Sequence, residues 1–229
     1  MPTYLAKSNK KKTYIKKYAK RYGAKKPQMV TFKKRDIIPR FMHLRLPYVS
    51  PPIDATCTSG VHALYEFNYN SIFDPNQTGA GHQPMGRDQW AGLYTRYLVT
   101  GLSYDISAWN VTSVAPFRIA IGASDGTGVP ADLQTAVEDP NYKSKLGGND
   151  YKVMRMTGYI SAPQAMGITK ERYKSDLDYS GIMGANPNNL GELGIFFQPF
   201  GGSITTLIRF VIKLKYYCTF SQPVTLVQS

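Results

Sequence analysis

Cysteine and histidine are scarce in this chain, and their scarcity removes several chemistries at once. Two cysteines, Cys57 and Cys218, among 229 residues cannot build a disulfide framework, which leaves a reducing or an indifferent redox compartment. The three histidines, His43, His62 and His82, share no metal-ligand spacing with one another or with the cysteines. No apolar run reaches 18 residues, so membrane insertion is not expected. The lysine-rich N-terminus lacks the apolar stretch and small-residue cleavage site of a secretory leader. No Gly-x-Ser-x-Gly elbow occurs, and the glycine-rich stretch from Gly122 to Gly128 lacks the lysine of a phosphate-binding loop. Asp74, Asn76, Thr78 and Gly79 imitate the start of a calcium loop, yet the twelfth position, which needs a bidentate Glu, is Met85. The sequence therefore predicts no enzyme, no metal and no cofactor.

Acidic residues are missing from one end. Residues 1–45 hold 15 Lys+Arg and a single acid, Asp36, a net +14; the remaining 184 hold 13 basic and 14 acidic groups, a net −1. A nearly neutral body thus carries a polycationic arm over residues 1–40, and such asymmetry points to a polyanionic partner bound through one end of the chain. The arm offers Lys7, Lys10, Lys11, Lys12, Lys16, Lys17, Lys20, Arg21, Lys25, Lys26, Lys33, Lys34 and Arg35 to phosphates. Tyr14, Tyr18 and Tyr22 recur every fourth residue, which lines one face of a helix. Ser8 or Asn9 suits its start, Gly23 its end, and Pro27 forbids continuation. Lysine repulsion opposes that helix in water. Phosphates relieve it, and the tyrosine rings offer stacking surfaces for unpaired bases. The expectation is an arm disordered when free and partly ordered on single-stranded nucleic acid. Its basic clusters also match a nuclear localisation signal, a pattern common enough to arise by chance.

Beyond residue 40 the dominant period is two. Thr206, Ile208, Phe210, Ile212, Leu214, Tyr216, Cys218 and Phe220 alternate with positions that include Arg209, Lys213 and Lys215, which predicts a long strand with one buried face. Ala63, Tyr65, Phe67 and Tyr69 form a second such stripe, opposite His62, Glu66 and Asn68. Further strands are expected at 94–107, 117–123, 151–160, 168–174 and 193–199, with another within 43–57. Gly/Pro/Asn/Asp clusters separate them. Only 85–94 and, more weakly, 133–138 read as helices. Seven or eight strands with irregular loops and no alternating helices predict an all-β fold, a single eight-stranded antiparallel jelly-roll sandwich over 41–229. An immunoglobulin-like sandwich is the alternative, with shorter and more evenly spaced strands. Cys218 on the apolar face and Cys57 read as inert core thiols.

The stretch from Phe73 to Trp90, FDPNQTGAGHQPMGRDQW, is not explained by propensity. With the strand before it ending in Phe67-Asn68 and Leu93 to Tyr97 after it, it resembles a segment of capsid proteins of circovirus-like viruses with small circular Rep-encoding single-stranded DNA genomes (CRESS-DNA viruses). The residues from Pro116 to Ile119 resemble that family's next strand, and the basic arm on a β body fits the family over the whole length. Asp74, Gly81, His82, Gln83, Pro84, Asp88, Gln89 and Trp90 carry the motif, either at a subunit interface or in packing within one subunit. The loops 125–150 and 175–191 align with nothing. The resemblance implies a coat protein that assembles with itself into a small icosahedral T=1 shell of 60 subunits, with the single-stranded DNA genome on the arms inside. It also implies location in the virion and, during assembly, the host nucleus, with nuclear import receptors and a cell-surface attachment receptor as further partners. Sixty arms carry about 840 positive charges, enough for on the order of a thousand phosphates. The alternative function is a non-viral nucleic-acid-binding protein with a basic tail. A cupin-like enzyme on the same architecture would need a His/Glu cluster the chain lacks.

Overall fold

The computed structural model describes residues 37–58, 61–79, 81–112, 115–147, 152–200 and 205–225. All sixteen candidate nucleic-acid-binding positions of the arm, Lys7 to Arg35, lie outside the described residues. The fold below belongs to the unit that begins at Ile37.

Ten strand segments form two antiparallel sheets. They are β1 (Phe41–Val49), β2 (Ile53–Cys57), β3 (Ala63–Asn68), β4 (Tyr94–Asn110), β5 (Phe117–Ser124), β6 (Tyr142–Gly147), β7 (Met154–Ser161), β8 (Gly181–Ile182), β9 (Glu192–Pro199) and β10 (Thr206–Pro223). One sheet has the order β1-β10-β4-β7, with β2 also on β10 and β8 also on β4; the other runs β3-β9-β5-β6.

The ten segments occupy eight strand positions. β1 and β2 lie end to end along one edge of β10. Pro51 and Pro52 break them apart, because proline has no N–H for the ladder. Val49 pairs Lys213 and Ile53 pairs Phe210, so Ser50, Pro51 and Pro52 on one side face Val211 and Ile212 on the other. Ser50 bridges the break: its N–H donates to the Ile212 carbonyl at 2.9 Å, and its Oγ accepts from Ile212 N–H at 3.1 Å. β7 and β8 likewise follow one another along β4. With those pairs merged, the chain alternates between sheets at every step except β5 to β6, which are neighbours in one sheet. This is an eight-stranded jelly roll.

Strand period dictates the core. All eight even positions of β10 from Thr206 to Phe220 are buried, and Lys213 and Lys215 between them are exposed. They meet Phe67, Ile106, Ile119, Ile121, Ile195 and Phe197 between the sheets. Space there is tight enough to require glycine. Gly158 and Gly181 stand opposite Tyr104 and Tyr97 across the ladder, and a Cβ on either would strike the tyrosine ring. Three of the buried phenols are anchored by hydrogen bonds to distant carbonyls. Tyr216 donates to the Asn68 carbonyl at 2.9 Å, Tyr173 to Val99 at 2.8 Å and Tyr94 to Pro39 at 2.9 Å.

The structure departs from the sequence expectation in several places, including short helices at Ala162–Ala165 and Leu177–Tyr179 and the strand β8, none of which the pattern predicts. The expected strand at 168–174 is instead the short helix Lys170–Ser175, capped by Thr169, whose Oγ1 accepts from Arg172 N–H. Its one buried residue is Tyr173, and Lys, Glu and Arg around it favour a helix once the cap is in place. β6 is a strand where the sequence pattern predicts none; four of its six residues are exposed, so no apolar period marks it. The region 43–57 yields two strands rather than one, for the proline reason given. The helices Arg87–Ala91 and Leu133–Glu138 fall where expected.

Candidate functional site

The motif segment from Asp74 to Trp90 runs from the end of β3 past β1 to the start of β4. Its first part is fixed to Asn68, which is buried. Asn68 N–H donates to the Pro75 carbonyl at 2.8 Å, and its Nδ2 donates to the Asp74 carbonyl at 2.6 Å. Gln77 Nε2 reaches Asn68 Oδ1 at 3.2 Å and Glu192 Oε1 at 2.8 Å, tying the loop to β9. Burial and the neighbouring Glu192 push the Glu66 carboxyl up. Asn76 Oδ1 accepts from Thr78 N–H and Oγ1 at 3.2 and 3.0 Å, so an oxygen of the calcium-like sequence is spent inside a turn.

The second part leans on β1. His82 stacks on Tyr48 with ring centroids 4.6 Å apart, its Nε2 lies 2.9 Å from the Val49 carbonyl, and its Nδ1 lies 2.8 Å from that of Gln83. Gly81 sits where a Cβ would press on Asn76 and the Tyr48 hydroxyl. Gln83 Nε2 donates to the Phe73 carbonyl at 2.9 Å, and Met85 N–H to Pro47 at 2.9 Å. Pro84 is buried. Gly86, at φ 84°, takes the left-handed turn that admits the helix Arg87–Ala91. Arg87, itself buried, lies over the Phe73 ring at 5.4 Å and pairs with Asp88 at 2.7 Å. Trp90 stacks on Phe220 at 5.8 Å.

Gly81, His82, Gln83, Pro84 and Trp90 thus each make contacts to other residues of this chain. Asp88 and Gln89 face solvent beside Met85 (79% exposed) and Leu93. Among the described residues no three His, Cys, Asp or Glu side chains converge to hold a metal. Burial pushes the Cys57 and Cys218 thiols up, the opposite of an activated nucleophile.

The outer faces of the two sheets are chemically unlike. Over the four-stranded sheet, Leu133 and Ala136 of the helix Leu133–Glu138 close a small apolar cluster with Ala120, Tyr142 and Phe196. Over the six-stranded sheet no second apolar cluster of this kind forms among the described residues, and the helix Lys170–Ser175 stands over one end of it only. Its strands hold Arg45, Arg96, Arg155, Arg209, Lys213 and Lys215 against Asp54 and Asp105. Both acids are neutralised: Arg209 and Arg155 make bidentate contacts to them and hold their carboxyls below the usual range. Arg45 lies over the Tyr217 ring at 5.2 Å, and Tyr159 meets Tyr217 edge to face at 5.6 Å. Sequence reasoning misses this face. Arg209, Lys213 and Lys215 are legible as the polar side of β10, but Arg45 falls with the arm in the charge count, and Tyr159 joins them only through strand pairing.

No protein-family model matches the chain, and no curated protein matches it by sequence. Solved structures do resemble it. One is a chain of a semi-empty virus-like particle of the giant freshwater prawn Macrobrachium rosenbergii nodavirus, with a TM-score of 0.48 and 11% identity, covering 89% of this chain and 94% of that one. A second is from mud crab tombus-like virus, with a TM-score of 0.48 and 11% identity over 89% of this chain and 92% of that one. A third is from a picornavirus capsid, the expanded equine rhinitis A virus particle, with a TM-score of 0.46 and 11% identity over 80% and 77%.

Proposed function

We propose that this chain is a viral coat protein. Its jelly roll builds a closed shell with copies of itself, and residues 1–40 gather single-stranded DNA inside. The observation that carries this reading is charge segregation: +14 within residues 1–45 against −1 in the remainder. A tail of that charge on a near-neutral body makes neighbouring arms repel when bodies close into a shell, until a polyanion cancels them. Packaging and closure are then one coupled step. The motif resemblance narrows the reading to CRESS-DNA viruses and a 60-subunit particle. The lysine clusters from Lys10 to Arg21 serve nuclear import receptors before assembly, and a cell-surface receptor meets the finished particle. The shoulder formed by Met85, Asp88, Gln89 and Leu93 is a subunit contact, its apolar members the anchors.

Electron microscopy and sedimentation of the purified chain, with the particles' nucleic-acid content measured, test this reading. Closed particles containing single-stranded DNA are expected. A small species that persists under every assembly condition refutes the coat-protein role. Replacing Lys10, Lys11, Lys12, Lys16, Lys17 and Lys20 by Gln should lower the DNA content of the particles. An unchanged load removes the arm from the packaging step.

A further inference from the structure

We infer that the folded body carries a second site for single-stranded nucleic acid, on the outer face of the six-stranded sheet, centred on a cavity of about 730 Å³. It rests on the packaging reading above and deepens it. The cavity lies between the sheet and the helix Lys170–Ser175, and its lining includes His43, Thr100, Tyr159, Lys170, Lys174 and Thr219. Each contributes something a nucleotide uses. Lys170 and Lys174 are one helical turn apart and so point to the same side; among the described residues neither forms an ion pair. Glu171, between them in sequence, is not part of the lining. Thr100 and Thr219 add hydroxyls, the latter held 2.9 Å from His43 Nδ1.

The site is shaped by an irregularity in the ladder. Between Tyr217 and Cys218 the register of β10 against β4 shifts, so Tyr217 pairs Gly101, Cys218 pairs Val99, and Thr100 is the extra residue. Bulges of this kind re-aim side chains and recur beside binding sites. Gly101 leaves room for the Tyr159 ring to lie across the strand, its hydroxyl where a Cβ would stand. Tyr159 stays 56% exposed and, with Tyr217 and Arg45 beside it, offers flat surfaces at the cavity's rim. Farther along β10 come Lys215 and Lys213, both exposed.

Cations alone would suit any polyanion, including a sulfated polysaccharide. The exposed tyrosine, with Tyr217 beside it, favours nucleic acid, because flat bases stack on such rings through their π-faces. Chain connectivity agrees: the basic residues Lys33, Lys34 and Arg35 precede His43 by ten residues or fewer. The phosphate seats between Lys170 and Lys174, and its base lies on Tyr159.

The test is photo-cross-linking of the full-length chain to an oligothymidylate carrying 5-iodo-deoxyuridine, with cross-linked peptides mapped by mass spectrometry. Wild type should cross-link at Tyr159 or Tyr217 as well as in the arm. K170E with K174E should cut the body cross-links about tenfold and leave those at Tyr14, Tyr18 and Tyr22 in place. If that double variant does not fold, K170Q with K174Q must give the same selective loss. Cross-links confined to the arm overturn this site and leave the packaging reading standing. No cross-link anywhere, together with particles free of DNA, overturns both. Protection of Lys170 and Lys174 from acetylation by heparin, without protection by oligothymidylate, assigns the cavity to a sulfated polysaccharide and overturns it in favour of that occupant.

Discussion

The four-stranded sheet has Leu133 and Ala136 laid over Ala120, Tyr142 and Phe196, whereas the six-stranded sheet presents Arg45, Lys213, Lys215, Tyr159 and Tyr217 outward. The strands themselves record this difference. β9 is buried at every position from Leu193 to Phe197 because both of its faces are covered; β10 alternates strictly because only one is. A continuous apolar run and a period-two run are both strands here, and the period tells which sheet is roofed. A roofed face is committed to the subunit's own stability. An open face with its acids already paired remains available to something outside it.

The largest expected effect lies on the roofed side. Phe196→Ala removes a fully buried ring beneath the helix Leu133–Glu138, and large-to-small changes of this kind cost about 3–5 kcal/mol. Urea unfolding of the variant measures it. A loss below about 1 kcal/mol would mean the roof is not packing, and the contrast between the sheets would fail.

The core shared by both sheets should fail in alkali. Burial pushes the Tyr97 phenol up to about 12, and burial raises those of Tyr69, Tyr142, Tyr173 and Tyr216 as well. A phenol that holds its proton more tightly when folded stabilises the fold fully below pH 10 and loses that contribution as the pH climbs to 12. For Tyr97 alone, two pH units amount to about 3 kcal/mol. Circular dichroism should therefore change between pH 10 and 12 together with a late phase of tyrosinate absorbance that belongs to the buried phenols. Ionisation of every tyrosine near pH 10 in an intact fold would contradict the assignment.

Gly158→Ala tests the inner side of the six-stranded sheet, where Tyr104 fills the space above the glycine. Overpacking there should cost about 1–3 kcal/mol, read as a lowered Tm. A neutral result would show that the tyrosine moves aside freely.

The smallest effect on stability belongs to the open face. Lys213→Ala with Lys215→Ala should change unfolding by about 0.5 kcal/mol or less. The same pair should flatten the salt dependence of oligothymidylate binding by about 1.4, near 0.7 for each phosphate that is no longer neutralised. Unchanged salt dependence would restrict DNA binding to other residues.

Local pattern reveals whatever one strand carries by itself. The burial of β10 is legible because seven apolar residues in alternation, following Thr206, leave a strand one choice of face. β6 is not, since only Tyr142 among its six residues is buried and pairing with β5 is what makes it a strand. The segment 168–174 misleads because Ile168, Thr169 and Tyr173 are strand-favouring residues, while its helix follows from the Thr169 cap and from Tyr173 bonding to distant Val99. Within the motif, the unusual residues from Phe73 to Trp90 stand out, but not their partners. Val49, Pro47 and Phe220 are drawn from β1 and β10, up to 130 residues away from Trp90 in the case of Phe220. The basic face is half visible for the same reason, with the polar side of β10 plain and the contributions of β1 and β7 hidden.

The sequence alone determined the cationic arm, the near-neutral body and the one-sided strands. Each is a property of residues close together in the chain, where composition and period act directly. Tertiary structure decided which sheet is roofed, where the motif is pinned and that a cavity joins His43, Thr100, Tyr159, Lys174 and Thr219. Those depend on pairings between segments far apart in the chain, which hydrophobic burial and ladder register settle together and no single segment encodes.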